Sequence, residues 1–279
     1  MKNQIIAIGA LGGSGTRAVA EVFIKAGLYM GDELNGANDN LLFTRLFKNP
    51  DWYRTSSIEE KRERFKIFEK YMRGDNLRDE EYNELNFAAN NNSVFKKDIN
   101  LYASKLKSLY ANRQRKQNWG WKEPNSYILL PELLAYFPSL RYIHVLRHGL
   151  DMAFSANMQQ LNNWGWKYNI RLNGDEDINQ LAVKQLDFWI ESTKDVLSTI
   201  KDFKKNAILL NHSTFCKEPK STIDNLLAFC SLNLSSDILD DLYIIPKNIG
   251  SNNRYKNYDL SIFSPKQLEF VNEMGFEVR

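Results

Sequence analysis

The sequence predicts a three-layer α/β fold with a central parallel sheet and an inserted helical layer. Three observations carry that expectation. The chain opens on an apolar run, a glycine-rich turn and a helical pattern, over residues 4–27. Two more short apolar runs, RYIHVL (141–146) and NAILLN (206–211), flank a long amphipathic stretch. Strands alternating with helices imply parallel pairing with helices on both faces. Residues 51–117 differ, being highly charged with both signs mixed and having no Pro/Gly linker on either side. They read as a helical insertion within one domain spanning 1–279.

Each element has a local reason. QIIAIG (4–9) ends at a glycine, as a buried strand does. TRAVAEVFIKAG (16–27) puts Val19, Val22 and Phe23 on one face and Gly27 at the stop. NDNLLFTRLF (38–47) predicts a short helix capped by Asn38 or Asp39. SIEEKRERFKIFEKYMRG carries a Ser57/Glu60 capping box and closes at Gly74. Val94, Ile99, Tyr102, Leu106 and Tyr110 give 93–114 near-helical spacing. WGWK (119–122) reads as a short strand with Trp119 and Trp121 on one side and Gly120 and Lys122 on the other. A helix is expected to start near Leu150, and another over 177–203 with Ile178, Leu181, Leu186, Trp189, Val196 and Ile200 inward.

Composition narrows the function. Hydrophobic residues are 43% and charged residues 25%, ordinary for a soluble globular protein. A net charge of +3 is too small to argue by itself for nucleic acid or membrane partners, while allowing a local basic pocket. Cys216 and Cys230 are too few for a disulfide framework or a metal site. No segment approaches the roughly 20 apolar residues of a membrane span, and the apolar run at the start is too short for a signal peptide. A cytoplasmic protein is expected.

Two stretches carry chemistry. IGALGGSGTR (8–17) joins a strand to a helix through four glycines. Glycines let backbone N–H groups turn inward, and the helix N-terminus adds about half a positive charge, which together make a phosphate cradle. Ser14 and Thr16 add hydroxyls, and Arg17 sits in the first turn. The G-x-x-x-x-G-K-[ST] pattern of ATPases and kinases fails, since Thr16 and Arg17 follow Gly15. In RYIHVLRHGLDMAFSANMQ (141–159), a strand ends at Arg147 and a helix returns Ser155 toward it. A guanidinium and a hydroxyl at that spacing suit one phosphate, with Asp151 positioning the arginine; a strand end closed by an Arg147–Asp151 salt bridge fits the same residues.

NWGWK also occurs twice, at 118–122 and 163–167. The flanks do not match, so the pentapeptide is not a structural repeat. The second copy lies in an Asn- and Gly-rich loop. There Trp164 and Trp166 are expected either to wall an acceptor pocket or to pin the loop to the core.

Together these stretches resemble the sulfotransferases that use 3′-phosphoadenosine 5′-phosphosulfate. IGALGGSGTRAVAEVF is similar to that family's 5′-phosphosulfate loop, and YIHVLRHGLDMAFS to its 3′-phosphate motif. WGWKEPNSYILLPELLAYFPSLRYIHVLR resembles the segment before that motif, and IGSNNRYKNYDL the late basic loop. The resemblance implies a P-loop-like fold and a donor held by Gly12, Gly13, Ser14, Gly15, Thr16, Arg17, Arg147, Ser155 and Arg254. It implies adenosine 3′,5′-bisphosphate as product, no metal, and a hydroxyl or amine acceptor on a small molecule or glycan. Many members carry Lys or Arg where this chain has Gly13, leaving Arg17 and Lys122 as the nearest replacements. Asp39 stands where glycan-directed members place a carboxylate base, and is the favoured base here. His148 is placed to touch either ligand, His144 is a structural strand residue, and His212 ends a strand. NRQRKQ (112–117) is either a solvated helix end or a contact for an anionic acceptor. The rival functions are a P-loop nucleotide kinase or NTPase and a nucleotide-binding protein that has lost catalysis.

Overall fold

In the computed structural model, which describes residues 4–91, 116–247 and 252–278, strand β1 (Ile5–Ala10) is buried along its whole length. It feeds through the glycine loop into helix α1 (Thr16–Lys25), whose Val19, Val22 and Phe23 are buried. The chain turns away at Gly27 (φ 84°), a conformation that favours glycine. Helices α2 (Leu41–Phe47), α3 (Pro50–Thr55), α4 (Ile58–Arg73) and α5 (Asp79–Asn90) follow. The capping box of α4 forms as its sequence predicts. Ser57 Oγ accepts from Glu60 N at 3.2 Å, Glu60 Oε2 accepts from Ser57 N at 2.7 Å, and the helix stops at Gly74. The cap of α2 is neither Asn38 nor Asp39 but Asn40, whose Oδ1 accepts from Phe43 N at 2.9 Å. Asn38 is held in a left-handed turn (φ 62°), and the Asp39 side chain is engaged elsewhere. The helix expected over 93–114 lies outside the described residues, as does most of NRQRKQ.

Strand β2 (Trp119–Lys122) leads through a 3₁₀ turn (Pro124–Leu129) into α6 (Leu130–Tyr136) and strand β3 (Leu140–Leu146). After β3 come α7 (Gly149–Ala153), α8 (Gln159–Trp164) and the long α9 (Ile178–Asp202). Strand β4 (Ala207–Asn211) is followed by α10 (His212–Lys217), α11 (Pro219–Phe229), α12 (Ser236–Tyr243) and α13 (Pro265–Glu273). Two expectations shift. Helix α7 ends at Ala153, so Ser155 lies beyond it. Ile178 is 60% exposed, because residues 177–180 form an exposed first turn before α9 reaches the core.

The four strands are parallel in the order β2-β1-β3-β4. The chain leaves β1 for one neighbour and then crosses to the other, so the crevice at the carboxyl end of β1 is a topological switch point, where α/β sheets bind ligands. Both faces are covered. Ile6 and Ile8 pack with α1, α10 and α11, while Ile5 and Ala7 face the aromatic layer. In that layer Trp119 and Trp121 stack at 5.8 Å, Phe43 stacks on Trp121 at 5.4 Å, and Phe68 meets Trp121 edge-on at 5.2 Å. The tryptophans of β2 are thus the surface on which α2 and α4 dock. Between them, a β-carbon at residue 120 would lie 2.4 Å from Ile6 O, so only glycine lets β2 approach β1. Among the described residues no helix is long and apolar enough to cross a membrane.

Candidate active site

The glycine loop sits at the carboxyl end of β1. Gly13 (φ 91°) and Gly15 (φ 84°) are left-handed, and Gly15 is the N-cap of α1. A β-carbon at Gly15 would lie 2.2 Å from the His212 ring, so the loop rests directly on the start of α10. Arg147 Nη1 donates to Gly13 O at 2.7 Å, and Gly12 N donates to Gln160 Oε1 at 2.7 Å. With one carbonyl tied back, the N–H groups of Gly13, Gly15, Thr16 and Arg17 have no protein acceptor among the described residues. An unsatisfied helix start of this kind attracts an anion. Ser14 and Thr16 are buried within the loop, and Arg17 is exposed.

A cleft of about 340 Å³ opens between this loop, the end of β2 and the start of α8. Lys122 reaches it from β2. Its side chain is 3% exposed, and Nζ donates to Ala37 O at 3.0 Å and pairs with Asp39 Oδ1. Asp39 Oδ2 also accepts from Asn35 Nδ2 at 2.8 Å. Asn40 N donates to Lys122 O at 2.8 Å, which couples the two segments through the backbone. Lys122, Asp39, Arg17, Thr16 and the loop glycines therefore share one cleft.

The opposite wall was not legible in the sequence. It is built by Lys48, Glu123, Asn125, Gln159 and Gln160. Glu123 is buried, its Oε2 accepting from Asn125 N at 2.5 Å and its Oε1 from Asn125 Nδ2 at 2.9 Å. Burial pushes its carboxyl above the usual range, against the pull of Lys48. Gln160 Nε2 donates to Asn125 Oδ1 at 3.2 Å and to Ala10 O at 3.3 Å, tying this wall to the loop. The only available hint was the side-chain amide pair Gln159-Gln160 shortly after the Arg-to-Ser motif; nothing in the local sequence marks Lys48.

The two tryptophan motifs meet here. Trp121 Nε1 donates to Ser126 Oγ at 3.0 Å, and Trp164 Nε1 donates to Asn125 Oδ1 at 2.7 Å. Both indoles hold the turn that follows β2. Trp164 is 1% exposed, and Trp166 is half-buried with Nε1 on Asn163 O at 2.9 Å. Neither lines the cleft. They pin α8 and its loop, their rings packing against Tyr53.

A second basic cluster lies beyond the loop. Besides Gly13, Arg147 holds Asn252 Oδ1 through Nη2 at 3.0 Å. Burial lowers its pKa, the nearby Asp151 opposes that, and the neighbouring Arg254 adds to it. Asp151 accepts from Asn253 N at 3.0 Å and Tyr255 N at 3.4 Å, so it anchors the late basic segment. Arg254 Nη1 donates to Phe154 O at 3.4 Å, next to Ser155, whose Oγ accepts from Asn157 N at 3.2 Å.

The histidines are structural in their contacts. His148 donates from Nε2 to Glu277 O at 2.8 Å, accepts Leu150 N on Nδ1 at 3.2 Å and packs on Tyr255, so both ring nitrogens are occupied away from the cleft. His144 Nδ1 lies 3.0 Å from the Tyr142 hydroxyl, and burial pushes its pKa down to about 3. His212 is pushed down to about 4 by burial and by Arg147.

Comparison with known proteins places this geometry. The model of the sulfotransferase family matches residues 14–236. The fold is similar to that of the sulfotransferase domain from the Synechococcus PCC 7002 olefin synthase (TM-score 0.54, 14% identity, covering 100% of this chain and 98% of that one). It is similar also to the sulfotransferase domain from the curacin biosynthetic pathway (TM-score 0.51, 14% identity, 100% and 99%). A third likeness is to sulfotransferase STF9 from Mycobacterium avium (TM-score 0.51, 11% identity, 100% and 78%). A search of curated proteins finds no match.

Proposed function

The chain belongs to the sulfotransferase family, and from that premise we propose that it moves a sulfuryl group from 3′-phosphoadenosine 5′-phosphosulfate to a hydroxyl or amine of a small-molecule or glycan acceptor. The observation that carries this reading is the shared cleft: a glycine loop with free N–H groups faces a buried Lys122–Asp39 pair. The loop and the start of α1 suit the 5′-phosphate. Arg147, tied to the loop through Gly13 O, and the neighbouring Arg254 suit a second phosphate about the 3′ position.

In the transfer, the acceptor oxygen or nitrogen bonds to sulfur while the bond from sulfur to the bridging oxygen breaks and its electron pair stays on the phosphate. Lys122 and Arg17 offset that growing negative charge. Asp39 takes the acceptor proton. Lys122 links the two roles, since its ammonium pairs with Asp39 and the side chain lines the cleft. The loop's lack of a Walker lysine weighs against an ATPase or kinase. Gly13 keeps a catalytically silent nucleotide binder as the second reading, because no cation stands at that place.

The test is thermal and chemical. Adenosine 3′,5′-bisphosphate at about 100 times its dissociation constant should add roughly 2.7 kcal/mol of stability, and ATP with Mg²⁺ should add far less. An unmoved melting temperature with the bisphosphate at millimolar concentration would sink the donor assignment. Release of label from sulfur-35 donor across an acceptor panel separates the enzyme from the silent binder.

A further inference from the structure

Lys48 is the first residue past α2, and its side chain is only 10% exposed. Its Nζ donates to Gln159 Oε1 at 2.8 Å and lies 3.8 Å from Glu123 Oε1. A lysine ammonium has three donors; one is given to Gln159 Oε1, and Lys48 lines the cleft. Glu123 is itself fixed by both nitrogens of Asn125, so the lysine is held by groups that cannot readily move.

Two other cations line the cleft. Lys122 is engaged by Asp39 and Ala37 O. Arg17 is exposed, where solvent weakens its charge. A β-carbon at Gly13 would meet nothing within 4 Å, so a longer side chain there would have room, yet the loop carries none. A partly buried cation already fixed in the cleft wall stabilises charge with little reorganisation.

We propose that Lys48 supplies the cation the loop lacks at Gly13, its ammonium contacting the sulfuryl end of the donor. This rests on the function proposed above. Glu123 and Gln159 are positioning residues for it: the carboxylate keeps the buried ammonium compensated before the donor arrives, and the amide sets its direction.

The test compares two ligands that differ by the sulfuryl group. Titration calorimetry gives the affinities of the whole chain for 3′-phosphoadenosine 5′-phosphosulfate and for adenosine 3′,5′-bisphosphate. In Lys48→Met the phosphosulfate should bind about tenfold or more weakly, the size of one charge-assisted contact, while the bisphosphate changes less than about threefold. Lys48→Arg should keep most of the phosphosulfate affinity. Because Lys48→Met leaves a buried carboxylate alone, Lys48→Met/Glu123→Gln serves as the variant without that burden, and it should show the same selective loss. Equal weakening of both ligands, or no change in either, overturns the role of Lys48 while leaving the proposed function standing. Failure of the unmodified protein to bind either nucleotide overturns the function and this inference together.

Discussion

Trp164 donates its indole N–H to Asn125 Oδ1 at 2.7 Å, across 39 residues of sequence. Asn125 in turn holds both oxygens of Glu123, the partner of Lys48. A buried tryptophan that never reaches the cleft thereby orients its polar wall. Trp164→Phe keeps the ring's packing and removes the donor. It should cost about 1–3 kcal/mol, the usual penalty for leaving a buried acceptor short of a partner, with Gln160 Nε2 softening the loss. Urea unfolding measures it, and an unchanged midpoint would show that the hydrogen bond contributes nothing net.

The Lys122–Asp39 pair changes what its mutants should do. Lys122→Ala should lower turnover by about 10²–10³-fold, as for loss of one preorganised charge-stabilising donor. Bisphosphate affinity should fall much less, because the charge it meets develops during transfer. Asp39→Asn should lower turnover by about 10²–10⁴-fold. It should also cost about 1–3 kcal/mol of stability, since it strips the counterion from a lysine whose side chain is 3% exposed. Normal turnover in Asp39→Asn would remove it as the base.

Arg147 ties the loop to the late basic segment, through Gly13 O and Asn252 Oδ1. Arg147→Ala should weaken adenosine 3′,5′-bisphosphate by about 1.5–3 kcal/mol and adenosine 5′-phosphate by less. Ser155→Ala should act in the same direction and more weakly. Calorimetry with both nucleotides reads the difference, and equal losses would assign Arg147 to loop anchoring alone.

Stability should fall as the medium becomes acidic. His144 and His212 are pushed down to about 3 and about 4 by burial. The unfolded chain, with histidines near 6.5, binds protons between those values that the folded chain refuses. Their contribution is therefore present above about pH 6.5 and is lost as pH falls toward 4. Between pH 7 and pH 5 each should cost about 2 kcal/mol. Urea midpoints at the two pH values test this, and a His144→Gln variant with an undiminished pH slope would contradict it.

Gly15→Ala tests the loop's seat on α10. The residue is left-handed at φ 84°, and its β-carbon would lie 2.2 Å from the His212 ring. Strain at such a backbone position is of order 1–3 kcal/mol, and the clash adds to it. A melting temperature equal to that of the parent protein would mean that His212 moves aside freely.

The strands, the glycine loop and α1 were legible because each is written in short-range pattern. An apolar run closed by glycine, Val19, Val22 and Phe23 on one helical face, and the Ser57/Glu60 box all act within one or two turns. The same locality explains the misses at element ends. Three neighbouring residues, Asn38, Asp39 and Asn40, can all cap a helix, and the choice fell to Asn40 because Lys122 draws Asp39 away. Ile178 fits the helical stripe of α9, but only the placement of that helix on the sheet leaves its first turn exposed.

The candidate site divides along the same line. Residues 8–17 and 141–159 stand out in the sequence as candidate anion sites, since glycine spacing, a strand end and a helix start are properties of contiguous chain. Which polar atoms meet across the cleft was decided by the tertiary structure alone. Lys122 and Asp39 are 83 residues apart, Lys48 and Gln159 are 111 apart, and Gly12 and Gln160 are 148 apart. Periodicity specifies which face of a strand or helix is buried, but not which distant segment arrives at its end. The sheet order β2-β1-β3-β4 brings the ends of β1 and β2 side by side, and packing of α2 and α8 against them then closes the wall. Burial leaves each indole N–H in need of an acceptor, and Ser126 Oγ and Asn125 Oδ1 supply them, which turns two copies of one pentapeptide into supports for a single turn.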